Sequence, residues 1–119
     1  MRNTRATEIL SSAFLGIFGP EVTLPEEGWT VYYSDVFQGQ PTASREIFDQ
    51  KGMTAAHKTL RFGTRIRVTN LENNNSVVLT VNDRMARQNS NILDVTRRAA
   101  QELGFEDQGR ARVSIEPAP

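Results

Sequence analysis

Two strand patterns stand back to back in the middle of the chain and narrow its fold class sharply. In Arg65-Ile66-Arg67-Val68-Thr69-Asn70 polar and apolar residues alternate, the period-2 mark of a strand with one wet face. Ser76 to Asn82 (SVVLTVN) is nearly all apolar, so cover on both faces is expected. The loop between them, Leu71-Glu72-Asn73-Asn74-Asn75, is rich in asparagine, which tolerates positive φ. Val77, Leu79 and Val81 share one strand face, and strict alternation places Asp83 on that same face, at the rim and half out of water.

The remaining patterns agree with an all-β chain. Trp29 to Tyr33 is aromatic and β-branched, hence a strand opened by Gly28. Residues 34–41 hold Gly39 and Pro41 and read as loop; Thr42 to Asp49 (TASREIFD) reads as a helical turn broken by Gln50-Lys51-Gly52. Met53 to Ala56 leads as a short extended segment into His57, and Phe62-Gly63-Thr64 is a turn. Asn91 to Val95 is a short strand, and Arg110 to Glu116 the last one. Between them Thr96 caps a helix over Arg97 to Leu103, with Ala99 and Leu103 facing the core and Gly104 ending it. About six short strands and one clear helix support a small β-barrel or sandwich.

At 119 residues the chain forms one core. Formal net charge is zero, which argues against a nucleic-acid backbone or an anionic membrane as main partner. The absence of cysteine removes thiolate nucleophiles, and a single histidine removes a His-rich metal site, so neither metal nor cofactor is expected. Residues 1–27 differ from the rest. Arg2 and Arg5 precede a short apolar run, ILSSAFLGIF, which suits either a secretory signal or an amphipathic helix; residues 21–27 read as a linker. The run is too short to span a bilayer.

Asp83 at a strand end and His57 before a turn are where chemistry tends to be carried. Taken alone, Asp83 would serve as a turn cap, Glu46 as a solvated residue and His57 as a satisfied structural group. From Gly28 onward, however, the chain resembles the RlpA-like double-psi β-barrel domain of septal-ring lytic transglycosylases, a distant relative of expansins. The resemblance is carried by Tyr32-Tyr33, Phe37-x-Gly39, Thr42-Ala43-Ser44-x-Glu46, the run from Thr54 through His57 to Thr64, Val68-Thr69-Asn70-Leu71, Asn82-Asp83-Arg84, and Asp94 with Ala99-Ala100 and Leu103-Gly104. The chain departs from the family pattern at Ser34 and Arg45, where glycine is usual, at Arg61 for proline, at Met85-Ala86 for Gly-Pro, and at Ser90-Asn91 for Gly-Arg.

The resemblance implies a six-stranded double-psi β-barrel over 28–119 with one or two short helices. It implies cleavage of peptidoglycan glycan strands poor in stem peptides, leaving 1,6-anhydro ends because the sugar's own 6-hydroxyl attacks. Asp83 is then the acid/base, Glu46 the second carboxylate, and His57 a hydrogen-bond partner of one acid or of the sugar. Tyr33, Phe37, Thr42 and Arg84 are expected to bind substrate, with Trp29 and Tyr32 in the core. An exported, periplasmic or cell-envelope monomer is expected, without nucleic acid or an integral membrane segment. The alternative is an expansin-like module that binds peptidoglycan without cutting it.

Overall fold

The structure, a computed structural model, describes residues 23–119. The apolar leader run therefore lies outside the described residues. Six strands are present: β1 (Glu26–Tyr32), β2 (Thr54–His57), β3 (Arg65–Asn70), β4 (Ser76–Arg84), β5 (Leu93–Val95) and β6 (Arg110–Pro117). One helix, α1 (Arg97–Leu103), and a 3-10 turn at Asp35–Phe37 complete the chain. The strands close into a mixed barrel in the order β1-β5-β2-β4-β3-β6, the architecture implied by the resemblance. β1 is parallel to β5 and β2 to β4; the other neighbours are antiparallel. Parallel neighbours cannot be joined by a tight turn, so long connections must cross the barrel ends.

Alternation fills the interior. Ile66 and Val68 of β3, and Ala111, Val113 and Ile115 of β6, point inward with exposures of 0–3%. They meet Leu79, Val81, Leu93, Val95 and the inner face of α1. The helix lies where its caps put it. The Thr96 hydroxyl accepts from Ala99 N at 3.1 Å, and the Phe105 N–H closes the far end on the Ala100 carbonyl at 3.0 Å. Gly104 has φ 81°, a backbone that favours glycine, and a Cβ there would stand 2.8 Å from Asn73 Nδ2 and push that side chain aside.

Four expectations are corrected. β1 starts at Glu26 and pairs with β6 from there, so Glu26 and Glu27 are strand and not linker. Thr42 to Asp49 is not helical: Pro41 bridges Ile47, and Thr42 N donates to the Glu46 carbonyl at 2.8 Å, which makes a tight, hairpin-like turn. Trp29 is not in the core; it lies on the outer wall beneath Arg110, whose guanidinium is 4.0 Å from the ring centroid. The fourth correction concerns parity. Ala55 pairs with Val81, but Ala56 pairs with Asp83, so β4 carries Asn82 as an extra, bulged residue. Ala55 and Ala56 point to opposite faces; Asp83 therefore shares the face of Ala56 and not that of Val81.

Thr96 also donates to the Gly52 carbonyl at 2.7 Å, tying α1 to the segment before β2. Thr96→Val removes the cap and this bond while keeping the shape. It should cost about 2 kcal/mol, read as a lower urea midpoint at unchanged m value.

Candidate active site

The bulge in β4 sets out a row of four residues on the outer wall. Asp83 of β4 pairs with Ala56 of β2, Ala56 with Asp94 of β5, and Asp94 with Val31 of β1. Two carboxyl side chains thus flank an alanine methyl, their backbones roughly 10 Å apart, or two strand spacings.

Asp83 is held by three donors. The Tyr33 hydroxyl donates to Oδ2 at 2.6 Å, while Ala43 N and Arg84 N donate to Oδ1 at 2.8 and 2.9 Å. Donors on every side and no acceptor make this the setting of a carboxylate anion. Burial, followed by the bond to Asp83 and its charge, raises the Tyr33 phenol well above its usual value, so its hydroxyl keeps its proton and stays a donor.

Glu46 comes to the same end of the barrel through Asn82. The bulged residue gives its carbonyl to Ser44 N at 3.2 Å and its side-chain amide to Glu46 Oε1 at 3.0 Å. With the Asp83–Ala43 bond, the strand end grips the turn at three points. Thr42, expected to bind substrate, spends its hydroxyl inside that turn, on Ser44 Oγ at 3.0 Å and the Glu46 carbonyl at 2.9 Å. Arg45, at a position where the family pattern has glycine, adopts φ 78°, a left-handed conformation that side chains resist.

His57 meets neither acid. Its Nδ1 accepts from Thr59 N and Leu60 N, both at 3.1 Å, so the hydrogen is on Nε2, which donates to Glu26 Oε1 at 2.9 Å. The ring is buried, with both nitrogens occupied, and it shapes the loop after β2. Arg84 completes this loop from the other side. Its Nη1 donates to the His57 and Leu60 carbonyls at 3.0 and 2.7 Å, and its guanidinium stacks 4.4 Å from the Phe62 ring centroid. Burial lowers the Arg84 pKa, opposed by the charge of Asp83. Arg84 is thus a loop anchor beside the acid. Met85, which replaces the usual glycine, is buried, and its N–H bonds the His57 carbonyl at 3.2 Å, holding the turn after Asp83 without Gly-Pro.

Tyr33 packs 4.2 Å from Phe48 and edge-on against Phe37, so both expected aromatics lie beside Asp83. Gln50 locks this arrangement: its buried amide donates to the Tyr33 carbonyl at 2.8 Å and to Asp35 at 2.9 Å, and its oxygen accepts from Arg97 N at 2.8 Å. Val36, Phe37, Ile47 and Phe62 leave apolar surface in water, 42–70% exposed. Two surface hollows, lined by residues such as Asp35, Gln38, Lys51, Arg98 and Glu102, include none of the expected acids.

Asp94, which by sequence pattern alone has only a structural reading, is the residue that reasoning missed. Burial, and secondly the charge on Asp83, push its carboxyl up to about 6. Its Oδ1 is sealed from solvent without a hydrogen-bond partner among the described residues. An acid two residues before a helix cap, in a strand of three residues, was the available signal; its neighbours across the barrel were not visible.

Comparison with known proteins places these residues in context. The lytic transglycolase family matches residues 26–115. A probable endolytic peptidoglycan transglycosylase RlpA of Treponema pallidum is 47% identical over 98 residues, covering 82% of this chain and 30% of that protein. The endolytic peptidoglycan transglycosylase RlpA of Pseudomonas aeruginosa is 45% identical over 89 residues, 75% of this chain and 26% of the relative. The chain thus spans less than a third of the length of either. Among solved structures, a Clavibacter michiganensis expansin matches with TM-score 0.59 at 21% identity, over 78% of this chain and 50% of that one. The Streptomyces papain inhibitor matches with TM-score 0.62 at 17% identity, over 84% and 96%. These two likenesses concern the fold alone.

Two stability measurements check the site's geometry. Folded Asp94 keeps its proton where the unfolded chain, at the usual 3.8, has lost it, so its contribution is fully present below about pH 4 and is lost as pH rises through about 6. Asp94→Asn should therefore stabilise the fold at neutral pH by on the order of 2 kcal/mol, discounted for partial exposure, and by little near pH 4. Arg45→Gly should raise stability by about 0.5–1 kcal/mol through relief of the left-handed backbone, seen as a higher thermal midpoint.

Proposed function

The chain belongs to the lytic transglycolase family, and from that premise we propose that it cleaves peptidoglycan glycan strands between their alternating amino sugars, leaving 1,6-anhydro ends. The observation that carries the reading is the carboxylate of Asp83, fixed by three donors on the outer face of β4, partly exposed and near exposed apolar groups. An anionic acceptor held this way is ready to take a proton from the substrate without rearranging. The exposed Phe37, Val36, Ile47 and Phe62 suit the C–H faces of successive sugar rings.

In the reaction, the bridging oxygen receives a proton as its bond to the anomeric carbon breaks. The 6-hydroxyl of the same sugar closes onto that carbon and gives up its proton, so no water is consumed. Asp83 is the carboxylate at this centre. Glu46, exposed and hinged on Asn82, lies at the same barrel end as the second carboxylate, where it steadies the positive charge that develops on the sugar. His57 acts from behind, with Arg84, by setting the loop on which Asp83 ends. On this reading the protein works in the cell envelope, where glycan strands are met; that its relatives are named peptidoglycan transglycosylases supports it.

Purified protein incubated with stem-peptide-free glycan strands should release anhydro-ended fragments detectable by mass spectrometry. Asp83→Asn should lower the initial rate by at least about 100-fold, and Glu46→Gln should lower it by about tenfold or more. Fragments at wild-type rate from both variants would refute the site; strand binding without any fragments would leave a binding module in place of the enzyme.

A further inference from the structure

Asp94 is a half-buried acid that the reaction outlined above leaves unused, and its surroundings are the inverse of those of Asp83. Three donors converge on Asp83, whereas neither oxygen of Asp94 has a hydrogen-bond partner among the described residues. An ionised Asp94 would leave an anionic oxygen sealed from water with no donor for it among the described residues, which is costly. As a neutral acid, the sealed Oδ1 is an ordinary carbonyl oxygen, and the partly exposed residue carries its hydrogen on the other oxygen. The two acids flank Ala56, whose small methyl, itself covered at 2% exposure, puts no long side chain between them. Environments that separate a pair of carboxyl groups into one ionised and one neutral member divide the duties of base and acid between them.

We infer that Asp94 is a catalytic residue of the proposed cleavage, the acid that protonates the bridging oxygen, with Asp83 as the base that accepts the proton from the 6-hydroxyl. This rests on the transglycosylase reading and refines it. The bond from the anomeric carbon to the bridging oxygen breaks, and its electron pair takes the Asp94 proton. The bond from the 6-oxygen to the anomeric carbon forms, and the hydroxyl proton passes to Asp83. Transfer from Asp83 back to Asp94 through solvent restores the starting state, so atoms and charge balance over a turnover. The groups that face Asp94 keep its proton in place up to about pH 6. β4 contributes the Asp83 anion, Tyr33 contributes a neutral phenol, β1 contributes Val31 and β2 contributes Ala56. Arg84 is turned to the His57 and Leu60 carbonyls, and the His57 ring to Glu26.

The test measures anhydro-end formation from peptide-free strands across pH, together with strand binding and a carbon-13 carboxyl titration. The wild-type rate should fall about tenfold per pH unit above about 6, since Asp94 must be protonated. Asp94→Asn should lose at least about 100-fold in rate, with strand affinity within about twofold of wild type, and its residual activity should lack the alkaline fall. Asp94→Glu should recover part of the rate and keep that fall. The Asp94 carboxyl should titrate near 6, and lower in Asp83→Asn, where the neighbouring charge is gone. An Asp94→Asn variant that cleaves at wild-type rate with the wild-type pH profile overturns the role of Asp94 and leaves the transglycosylase reading standing. So does a Asp94 carboxyl that titrates in the ordinary range while wild type cleaves. A wild-type protein that binds strands and releases no fragments removes the reading itself, and the proposal with it.

Discussion

The carboxylate of Asp83 is the knot of this structure. Through Tyr33 it holds the end of β1, through the Ala43 amide it holds the turn that carries Glu46, and through the Arg84 amide it fixes its own backbone. Each bond has a charged acceptor, which makes it stronger and shorter than a neutral pair. The long connection between β1 and β2 has no strand or α-helix of its own. Its placement over the wall comes from this acceptor, from the bulged Asn82 beside it, and from the Gln50 amide at its far end.

The bulge does two things at once. It turns Asp83 from the interior face of β4 to the outer face, and it frees the Asn82 carbonyl from the β2 ladder to receive Ser44 N. A regular strand would have buried the acid among Val81 and its neighbours. The two consequences are coupled, because the residue that reorients the acid is also the one that docks the turn bearing the second acid. Behind them, His57 and Arg84 spend their polar groups on backbone, so their contribution is to shape, and shape at this loop decides where Asp83 ends.

What the sequence disclosed follows from the range of the forces involved. β3 and α1 were legible to the residue, since alternation and caps are local: Arg65–Asn70, Thr96 and Gly104 state their roles within one turn of chain. The Glu26 start of β1 was hidden, because its pairing with Ile115 is set at the other end of the chain. Parity failed for Asp83 because a bulge is decided by the partner strand, here by two alanines that match three residues. Thr42 to Asp49 has the composition of a helical turn, yet the cross-chain hydrogen bonds of the strand end outweigh that weak propensity. The family resemblance nominated Asp83 and Glu46, which Asn82 and the turn it grips bring to one end of the barrel. It misdirected the His57 ring, whose partner Glu26 lies in a segment that local pattern had left as linker. Asp94 could not be weighed at all without knowing what stands across Ala56.

The interior of this barrel is filled by side chains from every strand, down to exposures of zero at Ile66, Leu79 and Val113. It has no throat, so a ligand must lie across the staves and cannot pass between them. A polymer resting on such a wall needs no free terminus to enter, and among the described residues no closed end counts its units. On the proposed reading, a cut made there would fall wherever bare strand touches down, and the spacing of peptides along the glycan would set the size of the pieces.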